Sequence, residues 1–194
     1  GNTLAAGAPG EASAAIGIGG DESNNGLPYA GAVHVFSRSA NTWARQAYVK
    51  ASNTGENDYF GDSVALSGDG NTLAVGAFGE ASTAIGVNGD ETINTADRAG
   101  AVYVFSRTSD AWVQQAYVKA SNTGLNDSFG SSIDLNEDGN IMAVGAFNED
   151  SNAAGVNNDE SNNSFGDSGA AYTFIRTGIT WFQKAYVKAS NTDD

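Results

Sequence analysis

FGDSVALSGDGNTLAVGA, residues 60–77, contains two short apolar runs on either side of a polar turn, SGDGN. An Asp-Gly pair between two apolar runs predicts a tight β-hairpin, because glycine tolerates the positive φ that such turns need. The aspartates around the turn also resemble a calcium loop, since calcium prefers oxygen ligands at alternate positions. The stretch therefore predicts two antiparallel strands and leaves a metal site as an alternative.

The chain repeats this pattern with a constant period. GNTLAAGAPGEAS at 1–13 returns as GNTLAVGAFGEAS at 70–82 and as GNIMAVGAFNEDS at 139–151, which is a period of 69 residues. Such self-similarity is the sequence signature of repeat architectures, in which each unit buries its faces against its neighbours. The chain also opens inside the pattern, which indicates a piece of something longer.

Each repeat reads as four strands with one long loop. In the middle repeat the strands are expected at 60–67, 72–77, 100–107 and 111–121, and the loop at 80–98. The second and third strands are almost continuously apolar, as in strands that are covered on both faces. The fourth strand alternates, which predicts Trp112 on a buried side and Lys119 on a solvated side.

Four antiparallel strands per repeat are typical of a β-propeller blade, so the predicted fold class is all-β. The chain then holds an incomplete blade at 1–56, which lacks its innermost strand, and two blades at 57–125 and 126–194. Three blades cannot close a ring, since propellers have roughly 4 to 8. This one repeat domain is therefore predicted to belong to a larger propeller or assembly.

Composition excludes several function classes. With nine Lys and Arg residues and a formal net charge of −14, the chain is not expected to bind nucleic acid or an anionic membrane surface. Membrane insertion is not expected either, because no apolar run approaches the roughly 20 residues of a membrane span. It has no cysteine, and its single histidine, His34, aligns with Tyr103 and Tyr172 in the other repeats. That position predicts aromatic packing and not a catalytic base, so no enzyme is expected.

These motifs resemble the FG-GAP repeat family, which includes the integrin α-subunit propeller and many bacterial surface proteins. The FG is Phe60-Gly61 and Phe129-Gly130, and the GAP is Gly7-Ala8-Pro9, relaxed to GAF at 76–78 and 145–147. GAVHVFSR and GAVYVFSR match the third strand of the family. The resemblance covers the whole chain and implies four-stranded blades around a channel. It also implies a non-enzymatic extracellular module for binding or adhesion, with a protein or glycan ligand at the cell surface.

The family's calcium-binding blades carry D-x-D-x-D-G-x-x-D in the first hairpin. The third repeat keeps Asp134, Asn136 and Asp138, whereas the second keeps only Asp69. Both turns are one residue shorter than the pattern, and its last carboxylate is absent. The turns are therefore interpreted as hairpins first, with the Asp134, Asn136 and Asp138 turn as a weaker calcium candidate.

The long loops are the better calcium candidates. Each carries an Asp-Glu pair at the same position, among Asn side chains and glycines that free backbone carbonyls: Asp21, Glu22, Asp90, Glu91, Asp159 and Glu160. These groups are the ligands that calcium prefers. The alternative is that they are solvated acids and Asx turns that hold the loop in shape.

A second function stays open beside the binding module. Near-identical repeats and the missing strand favour a structural repeat protein that binds further copies of itself through its open blade edge. Such an assembly would be an oligomer or a surface fibre.

Overall fold

A computed structural model describes residues 1–191, and their regular structure is β-strand throughout. The strands are β1 (Thr3–Ala8), β2 (Ala32–Ser39), β3 (Thr42–Val49), β4 (Val64–Leu66), β5 (Thr72–Ala77), β6 (Ala101–Thr108), β7 (Ala111–Val118), β8 (Phe129–Leu135), β9 (Ile141–Ala146), β10 (Ala170–Thr177) and β11 (Thr180–Val187). Neighbouring strands in each sheet pair antiparallel. The all-β prediction is confirmed.

The strands form three sheets, which we call the first, second and third blades. The first is ordered β1-β2-β3, the second β4-β5-β6-β7 and the third β8-β9-β10-β11. Two four-stranded blades and one three-stranded blade agree with the blades predicted from the repeats. The strand expected at 60–67 is shorter than predicted and spans only Val64–Leu66, whereas its counterpart in the third blade runs over Phe129–Leu135.

Each outer strand carries a β-bulge that changes which side chains share a face. In β7, Gln115 is the extra residue in the register against β6. A one-residue shift moves the following side chains to the other face of the sheet. Tyr117 therefore shares a face with Trp112, and Lys119 is fully buried. The prediction of a solvated Lys119 is wrong, because it assumed unbroken alternation along the strand.

At each of the two seams, an aliphatic face of one blade packs against an aromatic face of the following blade. On the second blade, Tyr103, Phe105 and Trp112 lie in one buried cluster with Val33 and Val35 of the first blade. The aliphatic face of the second blade packs in the same way on the aromatic face of the third. Burying one such large side chain stabilises the fold by about 1.5–3 kcal/mol, so the seams between blades hold the molecule together.

The Phe-Gly motifs bring the backbones of neighbouring blades into direct contact. Phe60 forms a parallel bridge with Gly31 of the first blade, and Phe129 forms one with Gly100 of the second. A Cβ atom at Gly100 would lie 2.1 Å from the carbonyl oxygen of Phe129. Glycine is therefore required on the receiving blade, since no other residue lets the backbones approach this closely.

Candidate functional site

The lysines at the ends of the outer strands are ion-paired with the glutamates that begin the long loops. Lys119 Nζ lies 2.8 Å from Glu80 Oε2, and the two side chains are 0 % and 2 % exposed. Beside the pair, the Ser82 hydroxyl bonds with that of Tyr117. The pairs Lys50–Glu11 and Lys188–Glu149 repeat this arrangement. Burial lowers the pKa of Lys119. The ion pairs hold each long loop against the end of its outer strand, and their burial leaves no room for a ligand.

Two buried aspartates lie at the turns that precede the Phe-Gly motifs. Asp58 and Asp127 each accept a hydrogen bond from a glycine amide three residues earlier, at 2.6 and 2.7 Å. Within residues 1–191, Oδ1 of Asp127 is buried and has no hydrogen-bond partner. Burial is the main cause that raises the pKa of both carboxyls to about 7.

We expect Asp127→Asn to stabilise the folded chain more at pH 8 than at pH 5. The folded-state pKa of Asp127 is about 7 and the ordinary value is 3.8, so between them the folded state binds more protons than the unfolded state. This group therefore lowers the free energy of unfolding as the pH rises through that window, and the loss is complete above it. Asparagine keeps the acceptor for the Gly124 amide and carries no charge.

Urea unfolding of wild type and variant at both pH values checks this expectation. Asp97→Asn is the control, because Asp97 is exposed. A stability difference between Asp127→Asn and wild type that is the same at pH 5 and pH 8 would contradict it.

The long-loop aspartates each cap their own turn. Oδ1 of Asp90 accepts the amide of Thr92 at 3.0 Å and its hydroxyl at 2.6 Å. The hydroxyl bond is the main cause that holds the pKa of Asp90 below its usual value. Asp21 and Asp159 make the same two bonds to the serines two residues further on. These contacts are those of the Asx-turn alternative.

The glutamate that follows each of these aspartates binds a side chain outside its own loop. Glu91 accepts a hydrogen bond at 2.8 Å from Ser52 of the first blade, and Glu160 accepts one at 2.9 Å from Ser121 of the second. Glu22 forms an ion pair with Arg45 in its own blade, at 2.7 Å. Two of the three loops are thus tied to the preceding blade through their glutamate.

The hairpin candidates bind the backbone of their own turn. Oδ1 of Asp134 accepts the amide of the next residue at 3.0 Å, and Oδ1 of Asn136 accepts the amides of Asn140 and Ile141 at 2.9 Å each. Asp138 also accepts the Asn140 amide, at 3.0 Å. Across residues 1–191, no three His, Cys, Asp or Glu side chains converge as a metal site would require. Calcium at the hairpin or the long loops stays a prediction.

Three rings at the seam between the first and second blades form a stack, which we call the aromatic row: Tyr29, Tyr59 and Phe78. The ring centroids of Tyr29 and Tyr59 are 5.4 Å apart, and those of Tyr59 and Phe78 are 4.8 Å apart with nearly parallel planes. The guanidinium of Arg98 lies 5.2 Å from the Phe78 centroid. Tyr29 is 51 % exposed, so one end of the row faces solvent.

The backbone at the aromatic row is held in an uncommon conformation. The amide of Tyr59 donates to the carbonyl of Tyr29, and φ is +56° and +55° at the two residues. A bulky residue at positive φ costs about 1–3 kcal/mol and persists only where its surroundings impose it. The hydrogen bond between the two blades holds the Tyr59 backbone against that of Tyr29, beside the stacked rings.

A cavity of about 530 Å³ continues the row at the next seam, between Phe78 and Phe147. Its walls are formed by two exposed or half-exposed rings, one cation, one carboxylate and two hydroxyls: Phe78, Phe147, Arg98, Asp62, Ser131 and Ser132. Ser128 occupies the position in this repeat that Tyr59 occupies in the previous one. The second seam therefore has no counterpart of the Tyr59 ring, and a groove of ligand size lies at this seam between Phe78 and Phe147.

A second cavity, of about 630 Å³, lies at the other end of the strands between the first and second blades. Arg107 and Asp69 are among its lining residues, but both already hold protein partners. No aromatic side chain lines it. It therefore lacks the rings on which an apolar face of a ligand could stack.

Reading the sequence missed Phe78 and Phe147, because they were interpreted as relaxed forms of the GAP motif. The signal that could have found them is the difference between repeats, since Pro9 stands at the same position in the first copy. By contrast, His34 lies 5.3 Å from the Tyr48 ring, as predicted for an aromatic packing position.

Comparison with known proteins agrees with the repeat and the sheets. The family model of the FG-GAP repeat matches residues 43–105 and 112–174, together more than half of the chain. The chain belongs to the FG-GAP repeat family. This membership confirms the resemblance drawn from the FG and GAP motifs, and the blades described above are FG-GAP blades.

Other comparisons add little to the FG-GAP assignment. No curated protein matched this FG-GAP chain in sequence. Among solved structures, it is similar to a hypothetical selenium-binding protein from Sulfolobus tokodaii, at 8 % identity and a TM-score of 0.40. The similarity covers 79 % of this chain and 34 % of that one, so the chain spans about a third of that structure. Residues 1–191 include no helix that is long and apolar enough to cross a membrane.

Proposed function

We propose that this FG-GAP chain is a non-enzymatic extracellular module for binding and adhesion, and that it holds a neutral glycan in the groove between Phe78 and Phe147. The observation that carries the proposal is the 530 Å³ cavity between the half-buried Phe78 and the exposed Phe147, with Arg98 and Asp62 at its wall. A sugar ring offers an apolar C–H face for stacking on such rings. Its hydroxyls match the donors of arginine and the acceptors of a carboxylate.

The charge of the chain supports a neutral ligand. With a formal net charge of −14, the protein repels anionic ligands at low ionic strength. The guanidinium of Arg98 is engaged over the Phe78 ring, and the groove also carries the opposite charge of Asp62. A ligand with hydroxyl groups and no charge satisfies both side chains without an unpaired ion.

The side chains of the chain also favour binding over catalysis. His34 is held against Tyr48, and the chain has no cysteine and no other histidine. The buried Lys–Glu pairs are closed to a substrate. The groove between Phe78 and Phe147 offers rings and polar groups that can bind a ligand, but no nucleophile and no catalytic base.

We expect Phe147→Ala to weaken binding of a neutral oligosaccharide at least about ten-fold, which corresponds to about 1.4 kcal/mol of lost stacking. A glycan array selects the oligosaccharide, and calorimetry then measures its affinity with calcium present and with EGTA. Phe182→Ala is the matched control, because Phe182 is 51 % exposed on β11, away from the groove.

Equal affinity of the Phe147→Ala variant and wild type would reject the groove as the site. Loss of binding in Phe182→Ala to the same degree would point to a general effect on folding or solubility. A loss of affinity in EGTA would support the prediction that calcium binds at the long loops or at the hairpin.

A further inference from the structure

The seams between blades are locked by an arginine and a tryptophan of one blade that bind two acceptors of the preceding blade. Arg107 donates through Nη1 to Gln46 Oε1 at 2.9 Å and through Nη2 to Thr3 Oγ1 at 3.0 Å. Trp112 Nε1 donates to the same Gln46 oxygen at 2.9 Å. The glutamine and the threonine are therefore the receiving half of the seam.

The second seam repeats these contacts. Arg176 donates to Gln115 Oε1 and to Thr72 Oγ1, each at 3.2 Å, and Trp181 Nε1 donates to Gln115 at 2.9 Å. Each guanidinium also stacks on the tryptophan of its own blade, at 5.3 Å in both blades. The two seams thus use the same contact: the arginine and tryptophan of one FG-GAP blade donate to a glutamine and a threonine of the preceding blade.

The third blade has lost both acceptors on the face that would receive a following blade. The residues one period of 69 after Thr72 and Gln115 are Ile141 and Lys184. Isoleucine has no acceptor atom, and a lysine ammonium only donates and carries the same charge as the arginine. Ile141 is 49 % exposed, and Lys184 is exposed and forms no ion pair within residues 1–191.

The apolar part of the same face has changed as well. Val102 and Val104 of the second blade are fully buried against the third blade. Their counterparts on the third blade are Ala171 and Thr173, which are smaller and, at Thr173, polar. We call the surface formed by Ile141, Ala143, Ala171, Thr173 and Lys184 the free face of the third blade.

We propose that the free face of the third blade binds a partner β-sheet that presents a carboxylate opposite Lys184 and an aliphatic side chain opposite Ile141. A second copy of this chain is the wrong partner, because its first blade presents Arg38 and the half-exposed Trp43. Arg38 would meet the ammonium of Lys184, and like charges placed together at an interface oppose association. This inference concerns a different surface from the glycan groove and stands independently of it.

A charge-reversal cycle tests the inference with the chain's own first blade as the probe. When the first blade of one copy meets the third blade of another, Arg38→Glu places a carboxylate opposite Lys184. Lys184→Glu places a carboxylate opposite Arg38 in the same contact. Each single variant should self-associate at least about ten-fold more tightly than wild type in sedimentation equilibrium, with the gain reduced by high salt. The double variant Arg38→Glu/Lys184→Glu should return to the weak association of wild type, because it again opposes like charges.

A second pair of substitutions tests the two lost acceptors without adding charge. Ile141→Thr/Lys184→Gln restores the receiving half of the seam and should also promote head-to-tail association, which Arg38→Ala in the same background should remove. Equal association by wild type and all the variants would overturn the proposal. Tight head-to-tail association of wild type that depends on Arg38 would overturn it too, and would make a second copy the partner.

Discussion

Lys119→Met should lower the free energy of unfolding by about 3–5 kcal/mol, the usual effect of removing one partner of a buried ion pair. Lys119 is fully buried and lies 2.8 Å from Glu80 Oε2. Methionine fills a similar volume, so the loss comes from the carboxylate of Glu80, which would stay buried without its cation. The remaining donors from Ser82 and Asn53 do not neutralise that charge. Urea unfolding near neutral pH measures the loss.

Two further variants separate the charge effect from packing. Glu80→Gln/Lys119→Met removes both charges and should recover much of the lost stability, since a neutral pair of similar volume is often as stable as a buried ion pair. Glu22→Gln removes a carboxylate from the exposed pair with Arg45 and should change stability little. If Lys119→Met were as mild as Glu22→Gln, the buried pair would not be holding the long loop.

Gly100→Ala should destabilise the chain by about 3–5 kcal/mol, because it combines two penalties. Gly100 has φ of +80°, which disfavours any residue with a Cβ atom. The added methyl would also lie 2.1 Å from the carbonyl oxygen of Phe129 and 2.6 Å from its amide nitrogen. These are backbone atoms of the next blade, so they can move away only if the seam opens. Thermal or urea unfolding measures the effect.

The matched control for this substitution is Gly86→Ala. Gly86 also has positive φ, +69°, but nothing lies within 4 Å of the Cβ that alanine would add. It should therefore carry only the conformational penalty of about 1–2 kcal/mol. Equal losses at the two glycines would show that the close approach of Phe129 to Gly100 contributes nothing to the fold.

The end faces of the molecule bear on the choice between a binding module and a self-assembling fibre. The first blade retains the Arg38–Trp43 pair, whereas the third blade carries Ile141 and Lys184 in place of the two acceptors. Open-ended assembly needs the same contact to repeat between every pair of copies. Both inner seams share the arginine and tryptophan contacts, but the third blade does not offer the same acceptors to the first blade of another copy, which favours the binding module.

The repeat, the strands and the family could be predicted from the sequence, because they depend on local patterns. A hairpin at Asp69-Gly70 follows from turn chemistry, and the apolar runs on either side follow from strand burial. The role of Trp112 in packing between blades was also predictable, since a large side chain at a fixed repeat position needs a repeated partner. Because the period of 69 residues is constant, the same strand and turn pattern occurs in all three repeats.

Lys119, Phe147 and Lys184 show what only the tertiary structure decided. A single-residue bulge in β7 places Lys119 inside the molecule, and the local sequence pattern does not predict that bulge. The groove at Phe147 is lined by side chains of both the second and the third blades, so it depends on contacts between blades. The sequence by itself determined that the chain builds near-identical blades. Which side chains meet at the seams and ends was decided by packing between residues one or more repeats apart, because those contacts arise only when the blades come together.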